Sequence, residues 1–150
     1  MKKLLFGALF TIMAITAFAQ KVETFNINNN TYYGTKAIPA EIVGHYSYSK
    51  DGDKEPIVDV NKDGTGKFQV HEVPAYPVEF WIETDAKGKI NVRKSDVNEN
   101  YQMVLVLKYG DNGQAGWKGA NKGTFDRIEV TVAKTMGYTI ILGERFMKLK

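Results

Sequence analysis

The stretch Tyr76-Pro77-Val78-Glu79-Phe80-Trp81-Ile82-Glu83-Thr84 decides the fold. Tyr76, Val78, Phe80 and Ile82 fall on one face of an extended chain, while Glu79 and Glu83 fall on the other. That period of two is how a half-buried antiparallel strand reads. The run from Tyr101 to Tyr109 repeats it, with Met103, Leu105 and Leu107 in line and Gln102 and Lys108 opposite. Val104 and Val106 make this second run apolar on both faces, so it is expected to be central or covered by another segment.

Outward from these two runs, further strands are expected at Val22 to Ile27, Ile42 to Ser49, Pro56 to Val60, Gly66 to Val73, Lys89 to Arg93, Thr124 to Ala133 and Tyr138 to Met147. Turn-forming groups separate them: Lys50-Asp51-Gly52-Asp53, Asn61-Lys62-Asp63-Gly64, Asp85-Ala86-Lys87-Gly88 and Met136-Gly137. No stretch after residue 19 holds a 3.6-residue apolar period, so the chain is expected to be all-β. A meander of eight or nine short strands closes into an antiparallel up-and-down barrel or stacks as a β-sandwich. Two segments break the rhythm. Residues 28–39, with Asn28-Asn29-Asn30 and Tyr32-Tyr33, read as an arm or long loop before the body. Gly110 to Gly123 reads as a mobile glycine-rich loop around Trp117 at one end of it.

The first residues carry a different signal. Lys2 and Lys3 precede an apolar run from Leu4 to Phe18, and Ala17-Phe18-Ala19 has the small-x-small pattern of a cleavage site, so residues 1–19 read as a secretory signal peptide. The expected parts are therefore a signal (1–19), an N-terminal arm (20–39) and a β domain (40–150), with an exported location, periplasmic or extracellular. Losing Lys2 and Lys3 lowers the formal charge from +3 to +1. Such a balance gives no electrostatic reason to expect nucleic acid or an anionic membrane, and no stable membrane insertion is expected after processing. The chain has no cysteine, which excludes disulfides, thiolate metal sites and a cysteine nucleophile.

Residues that could carry chemistry are few. Asp59-Val60-Asn61-Lys62-Asp63-Gly64 matches the first half of a calcium loop, but Val70 stands where the bidentate Glu is needed, so a hairpin turn is the expectation. His45 and His71 fall on different strands, and an enzyme would need one of them beside a carboxylate in a cleft. Glu79 and Glu83 stand about 13 Å apart at roughly 3.3 Å per residue, beyond the roughly 5–9.5 Å of glycosidase pairs. With Trp81 between them they could border a sugar, and a solvated outer face explains them equally well. Trp117 either forms a binding platform or folds back to cap the β body.

Ile42-Val43-Gly44-His45-Tyr46 resembles the Gly-x-Trp signature of lipocalins, with Tyr46 in place of Trp. The Asp59 to Gly66 hairpin, Phe80-Trp81-Ile82 and the Lys87-Gly88 turn resemble small bacterial lipocalin-like domains, so the likeness covers about residues 40 to 150. It implies an up-and-down barrel with an apolar interior, and it makes Arg145 the counterpart of the C-terminal arginine that packs on the signature aromatic. The expected function is a non-enzymatic binding protein, without cofactor or metal, for a small hydrophobic or amphipathic molecule. Tyr46, Tyr48, Phe68, Phe80, Met103, Leu105, Tyr138 and Ile140 are the interior candidates, with Trp117 at the entrance. These are core residues first, and a pocket needs space among them. The alternative is a surface module that recognises a glycan or protein through Trp81, Trp117 and the tyrosines of the arm.

Overall fold

The structure is a computed structural model that describes residues 21–50, 56–69, 74–95, 99–114 and 118–149. The expected signal peptide, His71 and Trp117 lie outside the described residues. The strands are β1 (Glu23–Ile27), β2 (Asn30–Thr35), β3 (Gly44–Ser47), β4 (Ile57–Val60), β5 (Thr65–Phe68), β6 (Tyr76–Thr84), β7 (Arg93–Lys94), β8 (Tyr101–Tyr109), β9 (Phe125–Ala133), β10 (Tyr138–Ile141) and β11 (Glu144–Leu149). A single turn of 3-10 helix, Lys134–Met136, joins β9 to β10.

Strands β3, β4, β5, β6, β8, β9, β10 and β11 each pair antiparallel with the next, and β11 returns to β3 through Met147↔Ser47, Lys148↔Tyr46 and Leu149↔His45. The meander thus closes into an eight-stranded barrel rather than a sandwich. Closure leaves no open edge among these strands, which removes a template for aggregation. Alternation fills the inside: Tyr46, Val58, Val60, Phe68, Phe80, Ile82, Leu105, Leu107, Ile128 and Val130 are the fully buried apolar side chains of the wall, with Ile42 beneath them. Each such side chain is worth about 1.5–3 kcal/mol of burial.

Three parts of the strand reading are corrected, one being that residues 89–92, expected as strand, hold only the isolated bridge of Ile90 with Thr84 before β7 begins at Arg93. Residues 28–35 do not form a loop: Asn28 and Asn29, at φ 50° and 62°, make the tight turn of a β1–β2 hairpin, and β2 pairs with the last residues of β6. Asparagine tolerates the left-handed region because its side chain hydrogen-bonds locally, which suits it to such turns. The third correction is at residues 138–147, which form two strands. Leu142 and Gly143, at φ 51° and 80°, reverse the chain between β10 and β11. A leucine there carries no turn signal.

The hairpin lies on the outside of the barrel. Phe25, Ile27, Trp81 and Val106 form a second buried cluster with Tyr32 and Phe125 packed against it. The Phe25 ring meets Trp81 edge-on at 5.1 Å and Phe125 at 5.2 Å. Val106 is therefore buried by a covering segment, as the two-faced apolar pattern of β8 required. At one barrel end the described parts of the glycine-rich segment fold inward. Gln114 donates to the Phe68 carbonyl at 2.7 Å, and Ala120 joins the core.

Candidate functional site

The interior candidates separate by orientation. Tyr46, Phe68, Phe80, Met103 and Leu105 all point inward and are at most 3% exposed. A lumen wide enough for water would give accessible area to the side chains around it, so these five pack against their neighbours. The Tyr46 hydroxyl donates to the Ile42 carbonyl at 2.5 Å, and burial pushes its pKa up. Tyr48 packs partly against the core beside Phe146 and bonds the Glu144 carboxylate, and its pKa is pushed up to about 12 by desolvation and that bond. Tyr138 and Ile140 point the other way. Thr139 and Ile141 are the buried residues of β10, and the Arg145 guanidinium lies 4.2 Å over the Tyr138 ring. The expected Arg145 contact with the signature aromatic is thereby corrected. Lys148 sits over Tyr46 instead, at 5.9 Å, and donates to the Glu41 carbonyl at 2.7 Å.

The polar motifs resolve as structural pairs. Asp63 Oδ1 accepts from the Thr65 amide at 2.9 Å and its hydroxyl at 2.7 Å, which holds its carboxyl below the usual range and closes the β4–β5 hairpin. Asp59, first in the calcium-like frame, faces away to bond His45 Nδ1 across β3 and β4. Glu79 pairs with Lys36, whose ammonium lies 4.7 Å over Trp81. Trp81 is itself only 4% exposed, so it offers no platform for a sugar.

Glu83 is equally far from a solvated carboxylate. Its side chain is 10% exposed and accepts both Arg127 Nε at 2.7 Å and Nη2 at 3.0 Å. Those bonds raise the Arg127 pKa, and the Tyr32 ring stacks 4.2 Å from the guanidinium carbon. Three strands supply this arrangement, Glu83 from β6, Arg127 from β9 and Tyr32 from β2, with β8 lying between the first two. The approach of Arg127 to Glu83 across an intervening strand is invisible in sequence.

Beside that pair the wall opens. The β6–β8 ladder runs from Val78↔Tyr109 to Ile82↔Leu105 and stops. The chain leaving β6 turns at Asp85, whose Oδ1 accepts the Lys87 and Lys89 amides at 2.8 and 2.9 Å, and Ile90 returns against Thr84. Strand β7 then takes up β8 only from Gln102. Met103 and Val104 lie between the two pairings, at the base of a cleft of about 460 Å³. Ile90, Val92 and Val104 give it apolar surface, and Lys89, Arg93 and Arg127 give it cations. Smaller clefts of about 310 and 430 Å³ lie beside Asn100 and beside Gly110. Comparison with family models, curated proteins and solved structures finds no match to this chain.

Proposed function

We propose that this chain is an exported, non-enzymatic binding protein that uses a lipocalin-like barrel as scaffold and holds a small amphipathic molecule in the outer cleft between β6, β7, β8 and β9. One observation carries the reading. The residues a ligand would need inside the barrel are packed against their neighbours, whereas the cleft has a volume within the roughly 300–1,000 Å³ typical of small-molecule sites. A lining of both apolar and polar side chains suits a ligand with both characters. The lipocalin-like assignment is supported by the eight-stranded meander and by Gly44-His45-Tyr46 on the first barrel strand. Export is supported by the pattern of residues 1–19.

The test is uptake of the neutral fluorescent probe N-phenyl-1-naphthylamine. Val104→Trp places an indole at the base of the cleft and leaves the inner face of β8 untouched, so it should weaken uptake at least ten-fold. Unchanged affinity in that variant would contradict the placement of the ligand.

A further inference from the structure

Resting on that reading of the cleft, we propose that the head group it selects is an oxyanion, a carboxylate or a phosphate, taken by Arg127 and Arg93. Arg127 is held before any ligand arrives, by Glu83 along one edge and by the Tyr32 ring across one face. Glu83 takes two of the five guanidinium N–H donors. The other three have no side-chain partner among the described residues, and the side chain lines the cleft. A guanidinium already fixed in this way loses little freedom on accepting a planar or tetrahedral oxyanion.

The unused hydrogen-bonding capacity around Arg127 is mostly donor. Arg93 and Lys89 line the same cleft, and neither side chain has an ion pair among the described residues. Of the lining carboxylates, Glu83 is committed to Arg127, and Asp85 to the amides of its turn and to the charges of Lys87 and Lys89, which leaves Arg93 as the second cation for an anion. Glu129 is the remaining acid, exposed on β9 without a hydrogen bond to its carboxylate among the described residues; its charge acts on Arg127 from the same strand, and an oxyanion has to displace that interaction. An anionic head on Arg127 and Arg93 leaves the aliphatic part of the ligand over Ile90, Val92 and Val104, where Val92 is 42% exposed.

Isothermal titration of the protein with octanoate, octyl phosphate, 1-octanol and octylammonium, all below micelle formation, tests this. The two oxyanions should bind at least ten-fold tighter than octanol, octylammonium should bind more weakly than octanol, and the oxyanion advantage should shrink with added salt. The tighter of octanoate and octyl phosphate identifies the head. Arg93→Gln should remove most of the advantage and leave octanol unchanged. Tyr32→Leu, which loosens Arg127 from outside the cleft, should weaken the oxyanions and spare octanol. Equal affinity for all four overturns the head-group proposal and leaves the cleft reading standing, as does a preference for octylammonium. Failure of all four to saturate overturns both.

Discussion

Gly66 has the tightest surroundings of the described glycines. A β-carbon there would stand 2.0 Å from the Asp59 carbonyl oxygen and 2.7 Å from the Phe80 ring, and neither atom belongs to a chain end that can swing aside. Gly66→Ala should destabilise by about 2–3 kcal/mol, at the upper part of the range for overpacking, read as a lower urea midpoint with unchanged slope. Gly44 differs although its β-carbon would also clash, at 2.6 Å, because the atom it meets is Cε of Lys148, part of a long flexible side chain that can shift by more than a backbone carbonyl can, at the expense of its bond to the Glu41 carbonyl. Gly44→Ala should cost less than about 1 kcal/mol in the same assay, and a larger loss than that of Gly66→Ala would contradict this distinction. The Glu83–Arg127 pair makes a third residue-level expectation. Arg127→Met alone strands a carboxylate that is 10% exposed and should cost about 3 kcal/mol, whereas Glu83→Leu with Arg127→Met should recover most of it.

The β1–β2 hairpin is joined to the barrel by a short ladder. Strand β1 pairs only with β2, and β2 reaches β6 over three residues, so the aromatic contact with Trp81 has to hold it in place. Phe25→Ala should cost about 3 kcal/mol and shift the Trp81 emission to the red, measured in a Trp117→Phe background so that one indole reports. The two aspartate turns predict a pH dependence. The Asp63 and Asp85 carboxyls are held below their usual range, by Thr65 and by the Lys89 and Lys87 amides. The unfolded chain therefore binds protons first on acidification, and the stability these groups add is present above about pH 4 and lost below it. Asp63→Asn keeps an acceptor for Thr65 without the titration, so its urea midpoint should fall less steeply between about pH 5 and 3. At this scale the sequence was legible where apolar residues alternate against polar ones. The inner faces of β6 and β8 follow from residues 76–84 and 101–109, and the covered stretch of the outer face of β8 from Val106, whereas Val104 on that face lines the open cleft. Which segment covers it was not legible, since Phe25 reaches Trp81 and Phe125 only through tertiary packing. The reversal at Leu142-Gly143 escaped because Gly143 alone marks it, and leucine in the left-handed region has no local preference to read.

Among the described residues the barrel combines a closely packed interior with a wall that parts between β6 and β7. Closure by β11 on β3 lets both barrel ends be plugged, by Ile38 and Ile42 at one and by Gln114 and Ala120 at the other, so apolar side chains meet one another inside. Five of the residues expected to line a ligand chamber are core for this reason. The cleft could not be read from sequence because it arises from a mismatch between two pairings of β8: with β6 up to Leu105 and with β7 from Gln102. Nothing in Met103 or Val104 themselves marks the gap. The claim that binding belongs to the wall and not the lumen is tested most directly by intermolecular nuclear Overhauser effects between 1-octanol and the labelled Ile, Leu and Val methyl groups. The account predicts contacts from the alkyl chain to Ile90, Val92 and Val104, and contacts to Leu105, Leu107 and Ile128 would contradict it.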